Sequence, residues 1–164
     1  MVTVSIRQAR TEELAAVGDL TVQAYVADGG LSPGDSYAEH LRDAASRARE
    51  AELLVAVGPE LLGTVTVCEP GTPWAEVSRP GELEFRMLAV TPAARGRGIG
   101  ELLTRAVLTS AADRGARRVV LCSSDHMHTA HRLYRRLGFG RIPERDWHPS
   151  PSVSLLAFAL DLPG

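Results

Sequence analysis

The residues with the clearest chemical potential are Leu88-Ala89-Val90-Thr91-Pro92-Ala93-Ala94-Arg95-Gly96-Arg97-Gly98-Ile99-Gly100, where an apolar run gives way to a glycine-rich turn and then to a helical pattern. Such a junction suits an anion. The first amide N–H groups of a helix lack internal partners, and the helix dipole places about half a positive charge there, so a diphosphate can rest on bare backbone. Glycines keep side chains out of its way, and three of them at alternate positions cost too much chain entropy for an ordinary helix start. Arg95 and Arg97 add charge at the same place. Two other phosphate loops are excluded. A Walker loop ends in Gly-Lys-Ser/Thr and this chain has no lysine; a Gly-x-Gly-x-x-Gly fingerprint fails because the third position after Gly96 and Gly98 is Glu101, whose carboxylate would repel a diphosphate.

Other reactive side chains carry weaker signals. His126, His128 and His131 lie near Asp125 and Cys122, but the HxHxxH spacing matches no zinc pattern, so no metal is expected; they read as helix-start or acceptor-site residues. Cys68 and Cys122 sit in apolar runs without CxxC spacing, as core thiols of a reducing compartment do. All 18 basic residues are arginine, which excludes Schiff-base lysine chemistry. Net charge is −2, yet residues 86–118 hold seven arginines against Glu101 and Asp113, a local basic island that fits a small polyanion better than nucleic acid.

The 164 residues fit one domain, 1–164. No apolar stretch approaches the ~20 residues of a membrane span, and no leader pattern opens the chain, so a cytoplasmic protein without membrane partners is expected. Residues 2–8 alternate as a strand; Thr11 is placed to cap a helix to about Val26, ended by Gly29-Gly30. The pattern predicts a second helix over 35–50, a hairpin of Leu53–Val57 and Leu62–Cys68 around Gly58-Pro59-Glu60, and a loop over 69–81. A strand at Leu83–Val90 leads into the glycine turn, followed by a helix with Ile99, Leu102, Leu103, Ala106 and Val107 on its apolar face. Val119–Ser123 reads as a strand, Thr129–Leu137 as a helix, and Phe139–Ile142 and Val153–Leu160 as closing strands around a loop with Pro143, Pro149 and Pro151.

Arg95-x-x-Gly98-x-Gly100 between strand and helix, followed by Ala130-x-x-Leu133-Tyr134-x-x-x-Gly138-Phe139, resembles the GNAT superfamily of N-acetyltransferases. The tail, Gly140 to Trp147, resembles a bacterial branch of it with unassigned acceptors, and the all-arginine, alanine-rich composition suits a GC-rich genome. The resemblance implies an α/β fold: a mixed, mostly antiparallel sheet of about seven strands with about four helices, splayed between its two central strands. It implies that the amides of Gly96, Arg97, Gly98, Ile99, Gly100 and Glu101 hold the diphosphate of acetyl-coenzyme A. Leu88, Ala89 and Val90 would pair with the pantetheine arm as an added strand, with the Val90 N–H as an oxyanion donor. Ser123, Met127 and Ala130 complete the coenzyme-facing set; Met127 stands where the family often has asparagine, so one pantetheine contact loses its amide.

An alkylamine of pKa ~10.4 must lose a proton before it can attack, a deficit of about 4.6 kcal/mol at pH 7. Glu84, on the strand where several family members place a catalytic glutamate, is the candidate base; its alternative is a structural pair with Arg86, and Glu82 is the second choice. Tyr134 is the candidate acid, with packing of the last helix as its structural alternative; a hydrogen bond to the leaving thiol would contribute ~10²–10⁴-fold. Trp147 and His148 would wall the acceptor pocket. The expected activity is direct acyl transfer from acetyl-coenzyme A to a small amine or peptide amino terminus, in a monomer or homodimer. A non-catalytic acyl-coenzyme A sensor is the alternative.

Overall fold

A computed structural model describes residues 3–32 and 34–163. The strands are β1 (Ser5–Gln8), β2 (Glu52–Val57), β3 (Leu61–Cys68), β4 (Glu82–Val90), β5 (Arg118–Ser124), β6 (Gly140–Arg141), β7 (Trp147–Ser150) and β8 (Val153–Asp161). The α-helices are α1 (Leu14–Ala27), α2 (Tyr37–Arg42), α3 (Ala44–Glu50), α4 (Ile99–Asp113) and α5 (His128–Arg136). The sheet runs β1-β2-β3-β4-β5-β8-β6, with β7 beside β6 on the same partner, β8. Among the described residues only β4 and β5 pair in parallel. The expected mixed, mostly antiparallel α/β architecture is therefore present, with one more strand and one more helix than the sequence suggested.

The extra helix arises at Asp43. Its φ/ψ of −77°/61° breaks the expected 35–50 helix in two, and its side chain accepts the Ser46 N–H at 3.1 Å, starting α3 as an N-cap. The extra strand is β7. Prolines argued for a loop there, but β7 pairs with β8 on one side only, and an edge tolerates a residue such as Pro149 without an N–H. At the other end, Thr11 does not cap α1: residues 11–13 form a 3₁₀ turn, and Glu13 reaches back to the Arg10 N–H at 2.8 Å. Val2 lies outside the described residues, and β1 begins at Ser5.

The main core lies between the sheet and α4, where Ile99, Leu103, Val107 and Ala111 pack on Val65, Leu83, Phe85, Val119 and Leu121. Leu102, expected on that apolar face, is 41% exposed. On the other face Val17, Leu20 and Ala24 of α1 are buried. Gly18 is required there because a Cβ would stand 2.3 Å from the Arg42 carbonyl oxygen, so α1 and α2 meet backbone to backbone. Among the described residues no helix is long and apolar enough to cross a membrane.

Candidate active site

The site begins where β4 and β5 part. Their ladder covers only Glu82↔Arg118, Leu83↔Val119 and Glu84↔Val120, although β4 continues to Val90 and β5 to Ser124. The divergence coincides with a bulge. Met87 and Leu88 face a single β3 residue, Val65, and Met87 adopts φ 55°, the left-handed region a side chain rarely occupies. Beyond the bulge the Thr91 N–H donates to the Leu62 carbonyl of β3 at 2.9 Å, so strand alternation turns the Val90 and Leu88 N–H groups to the opposite, unpaired edge.

β4 ends in a 3₁₀ turn, Pro92–Ala94, and the glycine segment. Gly96 and Gly98 take φ of 78° and 77°, and a Cβ at either would meet nothing within 4 Å. The constraint on them is thus backbone conformation beside open space, not packing. From Gly96 to Glu101 the six amides donate to no protein acceptor among the described residues; the first capped donor is Leu102, bonded to Gly98 O at 3.1 Å. Gly100 is different, since a Cβ there would press on Leu133 of α5 at 3.3 Å. The Glu101 carboxylate is engaged by Arg105 at 3.0 Å and Arg136 at 3.2 Å, and these hydrogen bonds hold it below the usual glutamate range. Two guanidiniums therefore offset the repulsion expected from it. Arg95 is diverted: it pairs with Asp28 and reaches the Ala24 carbonyl at 3.3 Å, tying the turn to α1. Arg97 has no ion-pair partner among the described residues. The six bare amides, the glycine cradle and the parted strands fit a diphosphate with an extended arm.

That gap opens into a cavity of about 740 Å³. Leu88, Ser123, Met127, Ala130 and Tyr134 all line it, so these sequence-derived residues converge. Tyr134 is 4% exposed, with its ring among Phe85, Phe139 and Phe158 at centroid distances of 5.8, 5.8 and 5.9 Å. Its hydroxyl has no hydrogen-bond partner among the described residues, and burial pushes its pKa up. It therefore stays a proton donor at any physiological pH. Cys122 also lines the cavity, but burial pushes its thiol up to about 12. At pH 7 about one in 10⁵ would be the nucleophilic thiolate.

Glu84 is not on the cavity wall. It is 0% exposed, and its carboxylate accepts the amides of Glu76 (3.0 Å to each oxygen), Val77 (3.1 Å) and Ser78 (3.0 Å). Nor does it pair with Arg86, which bonds Glu76 at 3.0 Å instead. Glu82, the second choice, is held by Arg145 at 2.6 and 2.9 Å. The histidines diverge: His131 is buried against Ser123 at 3.2 Å, His128 is exposed, and His126 edges the cavity. Among the described residues no group of His, Cys, Asp or Glu is placed to hold a metal. Trp147 and His148 do not line the cavity; β7 contributes Pro149 and Ser150. Sequence reasoning missed Tyr25, Tyr37 and Glu76 and read Arg86 only as a structural partner of Glu84, yet all four line it. The one available signal for Glu76 was an acid beside Trp74-Ala75 in an otherwise turn-like loop.

The model of the acetyltransferase (GNAT) family matches residues 15–139. The chain belongs to that family. Among solved structures, the GNAT acetyltransferase of Staphylococcus aureus Mu50 superposes with a TM-score of 0.78 at 13% identity, covering 98% of this chain and all of that one. The PaiA N-acetyltransferase of Thermoplasma acidophilum, in complex with coenzyme A, gives 0.74 at 14% identity, covering 94% of this chain and 98% of that one. At such identities these likenesses show the GNAT fold alone. A mycothiol acetyltransferase of Cellulomonas flavigena is 39% identical over 106 residues, 58% of this GNAT chain. The chain spans only 30% and 21% of the length of the curated relatives it matches.

Proposed function

We propose that this GNAT protein transfers an acetyl group from acetyl-coenzyme A to an amine, with both bound at once. The observation that carries the reading is the run of six unpartnered amides, Gly96 to Glu101, at the head of α4 beside the parted strands. Backbone N–H dipoles without a protein acceptor need no reorganisation to receive a diphosphate, and the helix dipole adds to them. The bare edge of Leu88–Val90 offers hydrogen bonds to an extended amide-bearing arm. The Val90 N–H would face the charge that develops on the thioester oxygen. Tyr134 would donate to the departing sulfur, whose thiol needs only modest help at a pKa of ~8.5. The high pKa of Cys122 disfavours a route through an acyl-cysteine.

The acceptor is an amine that fits the cavity against Tyr25, Tyr37, Glu76 and Arg86. Similarity to mycothiol acetyltransferases supports acyl transfer, and the chain's short coverage of them leaves their acceptor with them. The test is incubation of the protein with acetyl-coenzyme A and a panel of primary amines and short peptides, reading free thiol and acetylated product together. Product on an amine nitrogen is expected. Tight coenzyme binding with no product from any probe would favour a sensor of acyl-coenzyme A, and absence of coenzyme binding would overturn the reading altogether.

A further inference from the structure

The loop over 69–81 carries more of the site than its turn-rich sequence suggests. Trp74 anchors one point of it: the ring is 6% exposed, stacks on His40 at 4.7 Å, and donates its indole N–H to Glu50 at 3.1 Å. Glu84 anchors the next, gathering the amides of three successive residues, 76 to 78, onto one buried carboxylate. Between these anchors the loop delivers the Glu76 side chain to the cavity that Tyr134 also lines. The Glu76 carboxylate is 17% exposed and meets the Arg86 guanidinium at 3.0 Å. Arg86 has further partners: it donates to the Trp74 carbonyl at 2.9 Å and to the Tyr37 hydroxyl at 3.2 Å.

We propose that Glu76 is the group that takes the acceptor amine's proton, and that Glu84 is the positioning residue that holds it there. This rests on the acetyl-transfer reading above. Of the two acidic residues the sequence offered on β4, neither reaches the cavity, whereas Glu76 does. The two carboxylates thus divide the work: one fixes the backbone, and the other meets the substrate.

The protons balance as follows. An ammonium R–NH₃⁺ gives one proton to the Glu76 carboxylate, and the freed lone pair forms the C–N bond at the thioester carbonyl. The C–S bond breaks, the sulfur takes a proton from the Tyr134 hydroxyl, and that hydroxyl is restored by the second proton from nitrogen. Glu76 then returns its proton to solvent, so the sum is amide, thiol and one H⁺. The titratable groups around Glu76 are Arg86 and Glu84 on β4, Tyr37 on α2, Cys68 on β3 and Cys122 on β5. Burial raises the Glu76 pKa, Arg86 opposes this, and the charge of Glu84 adds to it. Each unit of rise removes about 1.36 kcal/mol from the uphill proton transfer.

The test uses the full chain with acetyl-coenzyme A and three probes: benzylamine, putrescine and alanylalanine. Glu76→Gln should lower kcat by about 10²-fold or more and abolish the acidic limb of the kcat/KM pH profile while coenzyme A affinity stays near wild type, and its melting temperature should fall because the pair with Arg86 is lost. Glu76→Asp should restore part of the rate. Glu84→Gln, which removes the neighbouring charge, should move the acidic limb to lower pH. A Glu76→Gln enzyme with an unchanged pH profile, measured where the wild type turns over, overturns the proposal and leaves acetyl transfer standing. If no probe turns over, carboxyl NMR titration decides, with the Glu76 resonance assigned by its loss in Glu76→Gln. A Glu76 titration at or below the ordinary glutamate range overturns the proposal, and one above it supports it.

Discussion

Replacing Gly98 separates the two demands made on the turn between β4 and α4. Its φ of 77° penalises any side chain by about 1–2 kcal/mol. A Cβ meets no protein atom within 4 Å, so no steric term adds to that. For a chain of this size 1 kcal/mol shifts Tm by about 2–4 °C, so Gly98→Ala should melt about 2–8 °C lower. Its coenzyme A affinity should stay within about threefold, or about 0.7 kcal/mol. Gly98→Glu carries the same backbone penalty and adds a negative charge beside the amides of Gly96 to Glu101. A carboxylate about 6 Å from one phosphate charge, at an effective dielectric of about 20, costs about 2.8 kcal/mol. That is about 100-fold in Kd. Calorimetric titration with coenzyme A, run beside thermal melts of both variants, reads both quantities. A folded Gly98→Glu protein that binds coenzyme A as well as Gly98→Ala does would refute the claim that these amides hold the diphosphate.

Two further outcomes are expected. Tyr134→Phe keeps the ring that packs on Phe85, Phe139 and Phe158 and loses only the hydroxyl, so steady-state kinetics should show kcat down by about 10²-fold or more with acetyl-coenzyme A affinity nearly intact; an unchanged rate would make the residue purely structural. Glu82→Gln breaks a pair with Arg145 in which one partner is fully buried, and denaturant unfolding at pH 7 should show a loss of about 3–5 kcal/mol. Burial pushes the Glu82 carboxyl up, but hydrogen bonds from Arg145 and the Arg79 amide outweigh it and leave the carboxyl below its ordinary range. Its stabilisation is therefore complete above the unfolded value of ~4.3 and lost as pH falls through the lower folded value, so wild type and variant should converge in acid.

The strand-turn-helix at 82–113 was legible because alternation, glycine spacing and a 3.6-residue apolar period each speak for themselves at short range. The bare amides at the head of α4 followed from it, since backbone amides at a helix start need no long-range partner to be specified. The acceptor half was not legible. Whether Glu84 or Glu76 faces the cavity depends on how the 69–81 loop folds back over β4, a contact that no local pattern encodes. The helix break at Asp43 and the edge strand at Pro149 escaped the pattern for a related reason. Each residue is a breaker in one context, but at Asp43 a fresh helix start and at Pro149 a one-sided sheet edge turn the same chemistry into a structural element.

The separation of β4 from β5 after Glu84 and Val120 has a consequence for the protein's lifetime. Two neighbouring stretches of main chain carry hydrogen-bonding groups that the sheet does not use, so on the proposed acetyl-transfer reading folding stability would be linked to the supply of the coenzyme between them. A ligand at a hundredfold excess over its Kd adds about 2.7 kcal/mol to that stability. Resistance to proteolysis should then rise and fall with the level of the bound carrier, making the abundance of the protein a gauge of it.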